Sequence, residues 1–330
     1  MRTVILGGGF AGVSAFLNNT NSIVIDNKDY FVLTHKLVDV IETGDPSIAE
    51  IKYPDRFLKA YIRNVDFKKK KIITDRGEID YDKLIISLGY EQDLSKIRGN
   101  VYKLENVEDA IKIRQQLSKV NSVAILGGGT LGVELAGTLN SMGKKVYLIE
   151  AQQKLLSFMS KDASAFALDT LKDLGVNVLL NTKVYDVKNT VETSSGEIKV
   201  DLTILTAGFK GPSIISEIGL SNINGRMLVD EYLKSIDYDD VYGAGDCMTI
   251  KNSFVPMSAQ VAVQSGETAM LNVLGKDTKF KYKQIAIILR IGNIYFGDIF
   301  GKFVKGKMAE LAKNIGIYRS IRMVQKASLI

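Results

Sequence analysis

The sequence predicts an α/β fold built from two copies of one strand–turn–helix unit, the second inserted in the first, with a C-terminal amphipathic helical tail. Three observations carry this expectation. The apolar run Val4-Ile5-Leu6 stops at Gly7-Gly8-Gly9-Phe10-Ala11-Gly12, and Val123-Ala124-Ile125-Leu126 stops at Gly127-Gly128-Gly129-Thr130-Leu131-Gly132, so the spacing G-x-G-x-x-G occurs twice, each time leading into a helical pattern. Each copy is followed by a second apolar run that ends on an acid: Asp26 after Ser22-Ile23-Val24-Ile25, and Glu150 after Lys145-Val146-Tyr147-Leu148-Ile149. Residues 301–330 carry seven basic side chains against one acidic one, with apolar residues three or four apart.

In such a turn the first glycine makes the tight bend, the second lets the backbone approach a pyrophosphate, and the third lets the helix pack on the strand, its N-terminus aimed at the phosphates. Gly7, Gly9 and Gly12, and again Gly127, Gly129 and Gly132, are therefore expected to form the phosphate sites of two Rossmann-like dinucleotide-binding domains. Asp26 and Glu150 stand where a carboxylate accepts hydrogen bonds from ribose hydroxyls. A carboxylate at Glu150 repels the 2′-phosphate of NADP, so the second site is expected to prefer NAD(H). A chain that holds two dinucleotides most simply passes electrons between them.

The remaining elements follow in order. Residues 1–108 alternate strand and helix, interrupted by a polar hairpin around Lys68 to Gly77 and followed by a buried strand over Tyr81-Asp82-Lys83-Leu84-Ile85-Ile86-Ser87-Leu88-Gly89. From Val107 an amphipathic helix leads to the second fingerprint, and a second alternation runs to Leu202-Thr203-Ile204-Leu205-Thr206-Ala207-Gly208. Asp240-Val241-Tyr242-Gly243-Ala244-Gly245-Asp246 resumes a strand, and Ser258 to about Leu274 reads as a helix opening after Pro256. The simplest topology is a discontinuous first domain, 1–108 and 230–300, a second domain at 109–229, and a tail at 301–330.

Composition narrows the class. The chain has 330 residues, 46% hydrophobic and 24% charged, which suits folded domains of ordinary size. The first strand begins at Thr3 and leaves no room for a signal peptide, and no apolar run reaches the length of a membrane span, so a cytoplasmic location is expected. One cysteine, Cys247, excludes an internal disulfide framework and a redox cysteine pair within the chain. One histidine, His35, argues against a histidine-rich metal site. The net charge of +6 equals the excess in the tail. There Phe300, Val304, Met308, Leu311, Ile315, Tyr318, Ile321 and Val324 recur with helical period, which reads as a basic amphipathic helix pair broken near Gly316. Such a tail suits either an interfacial membrane anchor or a helix packed on the protein's own core. Nothing suggests nucleic-acid binding.

The two fingerprints, the small-residue turns at Ser87-Leu88-Gly89 and Thr206-Ala207-Gly208, and Tyr242-Gly243-Ala244-Gly245-Asp246 together resemble the two-dinucleotide-binding-domain flavoproteins, the pyridine nucleotide-disulfide oxidoreductase-like family. The resemblance covers nearly the whole chain. It implies that Gly7, Gly9, Gly12, Asp26 and Asp246 bind FAD, that Gly127, Gly129, Gly132 and Glu150 bind NADH, and that Gly89, Gly208 and Gly245 belong to the cofactor sites. Most branches of that family relay electrons through cysteines. Cys247 directly follows Asp246 and is expected to be a small buried residue beside the FAD.

The helix Ser258-Ala259-Gln260-Val261-Ala262-Val263-Gln264 carries A-Q-x-A-x-Q, and Gly132-Val133-Glu134-Leu135-Ala136-Gly137 carries G-V-E-x-A-G. Both resemble type II NADH dehydrogenases. By that resemblance hydride passes from NADH to FAD and two electrons then pass to a quinone, without proton pumping. Gln260 and Gln264, four apart on one helix face, line the quinone site, and Glu134 sits near the nicotinamide and flavin. The helix dipole would stabilise an anionic reduced flavin. Asp26-Asn27-Lys28-Asp29-Tyr30-Phe31 resembles the passage toward the flavin. His35 lies just beyond it, where relatives more often have proline, and is expected to be a loop or core histidine. The resemblance further implies attachment to the inner face of the cell membrane through the tail, and it admits a homodimer. The chain is shorter than these enzymes usually are, mainly near the C-terminus. Two alternatives remain open at this point: a soluble NADH-dependent rubredoxin or ferredoxin reductase, and a flavoprotein whose redox state controls a partner.

Overall fold

The computed structural model describes residues 1–330, the Lys96 side chain excepted. Its helices are α1 (Phe10–Asn18), α2 (Leu37–Thr43), α3 (Val107–Leu117), α4 (Thr130–Ser141), α5 (Lys161–Asp173), α6 (Ile214–Glu217), α7 (Ala259–Val273) and α8 (Lys307–Ser328).

Two parallel sheets organise the chain. The first has the strand order Val241–Gly243, Lys83–Ile86, Thr3–Leu6, Ile23–Asp26, Leu58–Lys59. The second has the order Asn177–Leu179, Lys145–Ile149, Ser122–Leu126, Leu202–Leu205. In each, the strand preceding the glycine turn is central and its side chains are buried, because a parallel sheet covered on both faces has no solvent side. Burying each Val, Leu or Ile there stabilises by about 1.5–3 kcal/mol, which outweighs the modest strand preference of any single residue. α1 lies close on α7: a Cβ at Gly266 would stand 2.1 Å from the Ala11 carbonyl oxygen. The Ser14 hydroxyl donates to the Val263 carbonyl at 2.7 Å across the same contact.

The hairpin expected at Lys68 to Gly77 belongs to a three-stranded antiparallel sheet, Ile62–Asp66, Lys71–Thr74 and Gly77–Asp80. Arg98–Gly99 pairs in parallel with Asp186 and Val187 of the strand Val184–Val187, beside the second parallel sheet. Glu91–Gln92 pairs with Phe209–Lys210. Arg226–Val229 lies between Asn222–Ile223 and Met248–Ile250.

The C-terminal segment departs from the expected helix pair. Ala286–Ile291, Ile294–Ile299 and Lys302–Lys305 form an antiparallel sheet, so Val304 is in a strand and Phe300 is in the turn before it. Gly301 and Gly306, both at positive φ, bracket the last strand and end it before α8 begins. α8 then runs unbroken through Gly316. A glycine costs a helix interior about 1 kcal/mol relative to alanine, and packing along the inner face of α8 offsets it. Ala309, Val324 and Ala327 are buried there, while Met308, Leu311, Ile315 and Tyr318 are exposed on the other face. Among the described residues no helix is long and apolar enough to cross a membrane.

This terminal sheet ties α5 and α2 together. Asp298 holds Ser160, the N-cap of α5, accepting from its amide at 2.7 Å and its hydroxyl at 2.6 Å. Arg290, one strand away, bonds Asp39 at 2.9 Å and Glu42 at 2.6 Å on α2.

Candidate cofactor-binding and active site

The two glycine turns are built alike. Gly7 (φ +94°) and Gly127 (φ +120°) take up left-handed conformations that only glycine holds without strain. A Cβ on Gly12 would stand 1.9 Å from the Gly7 carbonyl oxygen, and one on Gly132 1.9 Å from that of Gly127, so the third glycine is fixed by helix–strand contact. Gly9 and Gly129 have nothing within 4 Å of an added Cβ, so the second glycine of each turn faces open space. That space lies at a helix N-terminus, where unpaired amides and the helix dipole attract an anion.

The acids occupy matching positions. The Gly8 amide donates to Asp26 Oδ2 at 2.6 Å and the Lys28 amide to Oδ1 at 2.9 Å. The Gly128 amide donates to Glu150 Oε2 at 2.6 Å and the Gln152 amide to Oε1 at 2.7 Å. Burial raises the pKa of Asp26, and these amide bonds oppose the rise. Ser87 and Thr206 complete the symmetry. The Ser87 hydroxyl donates to the Leu6 and Gly7 carbonyls at 2.9 Å, and that of Thr206 to Leu126 at 3.1 Å and Gly127 at 3.0 Å. Sequence reading marked these positions only as small residues; their shared place before Leu88-Gly89 and Ala207-Gly208 was the available signal.

A cleft of about 410 Å³ runs from Asp26, past Gly7 and Gly9, to Gly89, Gly245 and Asp246, and then to Ala259 and Ala262 at the start of α7. Gly89 (φ +74°) and Gly245 (φ +75°) turn the chain along its wall. The Gly245 amide is held by the Ser265 hydroxyl at 2.9 Å. Asp246 Oδ1 is buried and has no partner among the described residues. Burial pushes this carboxyl up to about 6, against the lowering effect of Arg226 and of the Ser258 amide. A cleft with a helix N-terminus at one end and a buried acceptor awaiting a donor midway fits the pyrophosphate and ribityl hydroxyls of FAD. Gly208 (φ +75°) lies across the chain crossing, nearest to Asp93.

Cys247 is fully buried, its thiol directed at the Ile86 and Ala244 carbonyls at 3.3 Å. Burial pushes it up to about 11, so the reactive thiolate is suppressed. Gln260 and Gln264 do lie on one face of α7, and both amides are engaged with a neighbouring segment. Gln260 donates to the Ala286 carbonyl and accepts from the Ile285 amide at 2.8 Å. Gln264 donates to the Lys283 carbonyl at 3.1 Å and accepts from the Lys283 amide at 2.9 Å. Glu134 accepts from the Lys313 ammonium of α8 and, at 2.9 Å, from the Arg290 amide. It therefore joins α4 to the terminal sheet and α8.

His35 follows Thr34 of the cleft wall, and its ring centroid is 6.5 Å from that of Phe10. Its Nε2 is buried without a partner among the described residues. Burial pushes the imidazole down to about 4, with Lys313 and Lys36 acting in the same direction and Asp39 against it. The unfolded chain binds this proton more readily, so the stabilisation from a neutral His35 is full above about pH 6.5 and is lost as pH falls toward 4. His35→Leu is expected to flatten the stability–pH curve across that window by up to ~3 kcal/mol, read from urea midpoints.

The comparisons with known proteins accord with this geometry. The profile described as pyridine nucleotide-disulphide oxidoreductase matches residues 1–266. The chain belongs to that family. As a member of it, the chain is similar to the type II NADH:quinone oxidoreductase of Staphylococcus saprophyticus, 26% identical with 95% of this chain and 93% of that one covered. The enzyme of the same name from Staphylococcus aureus strain NCTC 8325 is 24% identical at the same coverage. Among solved structures, this family member superposes on NDH2 from Plasmodium falciparum in complex with RYL-552 with a TM-score of 0.85 at 18% identity, covering 99% of this chain and 97% of that one. A ferredoxin reductase from Rhodopseudomonas palustris gives 0.80 at 18% identity, with 91% and 82% covered.

Proposed function

We propose that the chain is an FAD-dependent NADH:quinone oxidoreductase of the type II kind. The observation that carries this reading is the duplicated glycine turn, each with its own carboxylate, in a chain whose Staphylococcus relatives of near-equal span bear that name. NDH2 of Plasmodium falciparum, whose fold this chain shares, was solved in complex with NADH.

In this reading Gly7, Gly9, Gly12, Asp26, Gly89, Gly245 and Asp246 hold FAD, and Gly127, Gly129, Gly132, Glu150 and Gly208 serve NADH. The first unit then comprises 1–108 and 230–300 and the second 109–229, and Glu91–Gln92 of the first pairs with Phe209–Lys210 of the second. Bound FAD would supply hydride acceptance from NADH and two-electron delivery to a quinone. The protein's part is placement. Asp246 would accept from the ribityl hydroxyls of bound FAD, and α7 brings its positive end to the cleft. Gln260 and Gln264 shape the acceptor side by holding residues 283–286 against α7. Glu134 fixes α4 against Lys313 and so sets where the second fingerprint sits.

The test is anaerobic flavin absorbance on adding NADH, followed by a short-chain quinone. Bleaching and prompt recovery are expected. Bleaching without recovery would move the acceptor to a small redox protein, the ferredoxin reductase-like alternative, and absence of bleaching would sink the NADH assignment. Because both Glu150 oxygens are fixed by backbone amides, Glu150→Gln should reduce the preference for NADH over NADPH by about tenfold, measured as a ratio of kcat/KM values.

The exposed stripe Met308, Leu311, Ile315 and Tyr318, with Lys307, Arg319 and Arg322 on the same helix, suits attachment to an anionic membrane surface. Leu311→Glu with Ile315→Glu should abolish sedimentation with vesicles containing phosphatidylserine. Unchanged sedimentation, or a loss of dimer mass in the absence of lipid, would count against the membrane and assign the stripe elsewhere.

A further inference from the structure

Arg226, which belongs to neither fingerprint, ties the Gly-Asp turn to the segment before α7. It sits on the strand Arg226–Val229, whose Met227 pairs with Met248 just past the Gly-Asp turn. Its Nε donates to the Asp246 carbonyl at 2.9 Å, and its Nη1 donates to the Val255 carbonyl at 2.9 Å. The Asp246 carboxylate in turn receives the amide of Ser258, the residue that caps α7. One guanidinium therefore holds the residue facing the cleft and the segment that launches the helix pointing into it. Its planar fork suits this task, since two carbonyls are met by two donors of one rigid group. Nη2 is buried and has no partner among the described residues, and the same is true of Asp246 Oδ1. The two unfilled positions belong to residues in direct contact.

We infer that Arg226 is a positioning residue for the flavin: it orients Asp246 toward the ribityl chain and locks that residue to the start of α7. The inference rests on FAD as the occupant of the cleft. Asp246 supplies the acceptor, and Arg226 decides where that acceptor stands and supplies the positive charge that favours its ionised form. The other titratable groups facing Asp246 are Tyr90, on the cleft wall, and the buried Cys247. Both of these are neutral and leave Arg226 as the one full charge acting on it.

The test measures FAD dissociation constants, by flavin fluorescence, for the full chain stripped of cofactor, with Arg226→Met, Arg226→Lys, Asp246→Ala and the Arg226→Met/Asp246→Ala pair. Arg226→Met should weaken FAD binding by about tenfold or more at neutral pH. In the Asp246→Ala background the same change should cost less than about threefold, because the side-chain acceptor that Arg226 orients is already gone. With Arg226→Met, FAD affinity should rise as pH is raised from about 6 to about 9, whereas the unmodified chain should vary little above neutral pH. Arg226→Lys keeps the charge without the fork and should restore the flat pH profile while recovering only part of the affinity. It serves as the test variant should the methionine variant not fold. Equal losses in the two backgrounds, or an unaltered pH profile, would overturn the inference. An unmodified chain that takes up no FAD would instead fail the cofactor assignment, a result separable from any behaviour of the variants.

Discussion

Gly129→Val is expected to leave a folded, yellow protein that NADH no longer bleaches. Gly129 has φ −77° and ψ −171°, a conformation open to any residue, and an added Cβ there meets nothing within 4 Å. Folding should therefore change by no more than about 1 kcal/mol. The valine methyls would occupy the space over the first turn of α4, where a pyrophosphate must approach the amides. Losing two charge-assisted bonds there weakens NADH binding by about a hundredfold or more. Gly132→Ala is the contrasting case. Its Cβ would lie 1.9 Å from the Gly127 carbonyl oxygen and 2.8 Å from Thr206 Oγ1, and the backbone oxygen cannot yield. That variant should lose about 3 kcal/mol or more of stability along with NADH reduction. Thermal melts beside flavin absorbance separate the two effects. Wild-type bleaching in Gly129→Val would mean that the nicotinamide nucleotide binds elsewhere.

Lys313→Met is expected to be the most damaging single change in the C-terminal segment. Lys313 and Glu134 are 15% and 14% exposed, so each charge is largely withdrawn from water. Removing the ammonium leaves the Glu134 carboxylate with the Arg290 amide alone. An uncompensated charge in such a place costs about 2–4 kcal/mol, after discounting for its residual exposure. The double variant Lys313→Met/Glu134→Gln should recover most of that loss, since two neutral side chains need no charge partner. Urea unfolding of both variants checks this. Losses that simply add would show that the pair is screened and that α8 is held by its apolar face alone.

The parts of the site legible in the sequence are those whose cause is local. A glycine that must adopt positive φ or admit a neighbouring backbone leaves a mark within six residues, and both fingerprints carry it. The helix after Pro256 was legible because Ser258 caps it through the Val261 amide. What sequence reading lacked was pairing at long range. Nothing near Glu134 announces Lys313, and nothing near Arg226 announces the Val255 carbonyl, because both contacts exist only once separate elements meet. The terminal strand was hidden for another reason. Phe300 and Val304 happen to continue the three-and-four spacing of α8, and the two glycines flanking Lys302–Lys305 are the sole local sign that the period changes from helix to strand. Gly316 misled in the opposite direction, since propensity yields to packing where a helix has a core to lie on.

The packing of α8 on α1 brings residues far apart in sequence into one hydrophobic cluster, with Phe16 in the same apolar group as Val324 and Ala327. A ribosome releases the last of these residues only after everything between them has been made. Until then the outer side of the first helix has no cover, and the nascent chain must be kept from aggregating through that bare surface. Contacts this distant in sequence also slow folding, because nearly the whole polypeptide is the loop that has to close. The cover that α8 gives the first helix is thus added late in assembly.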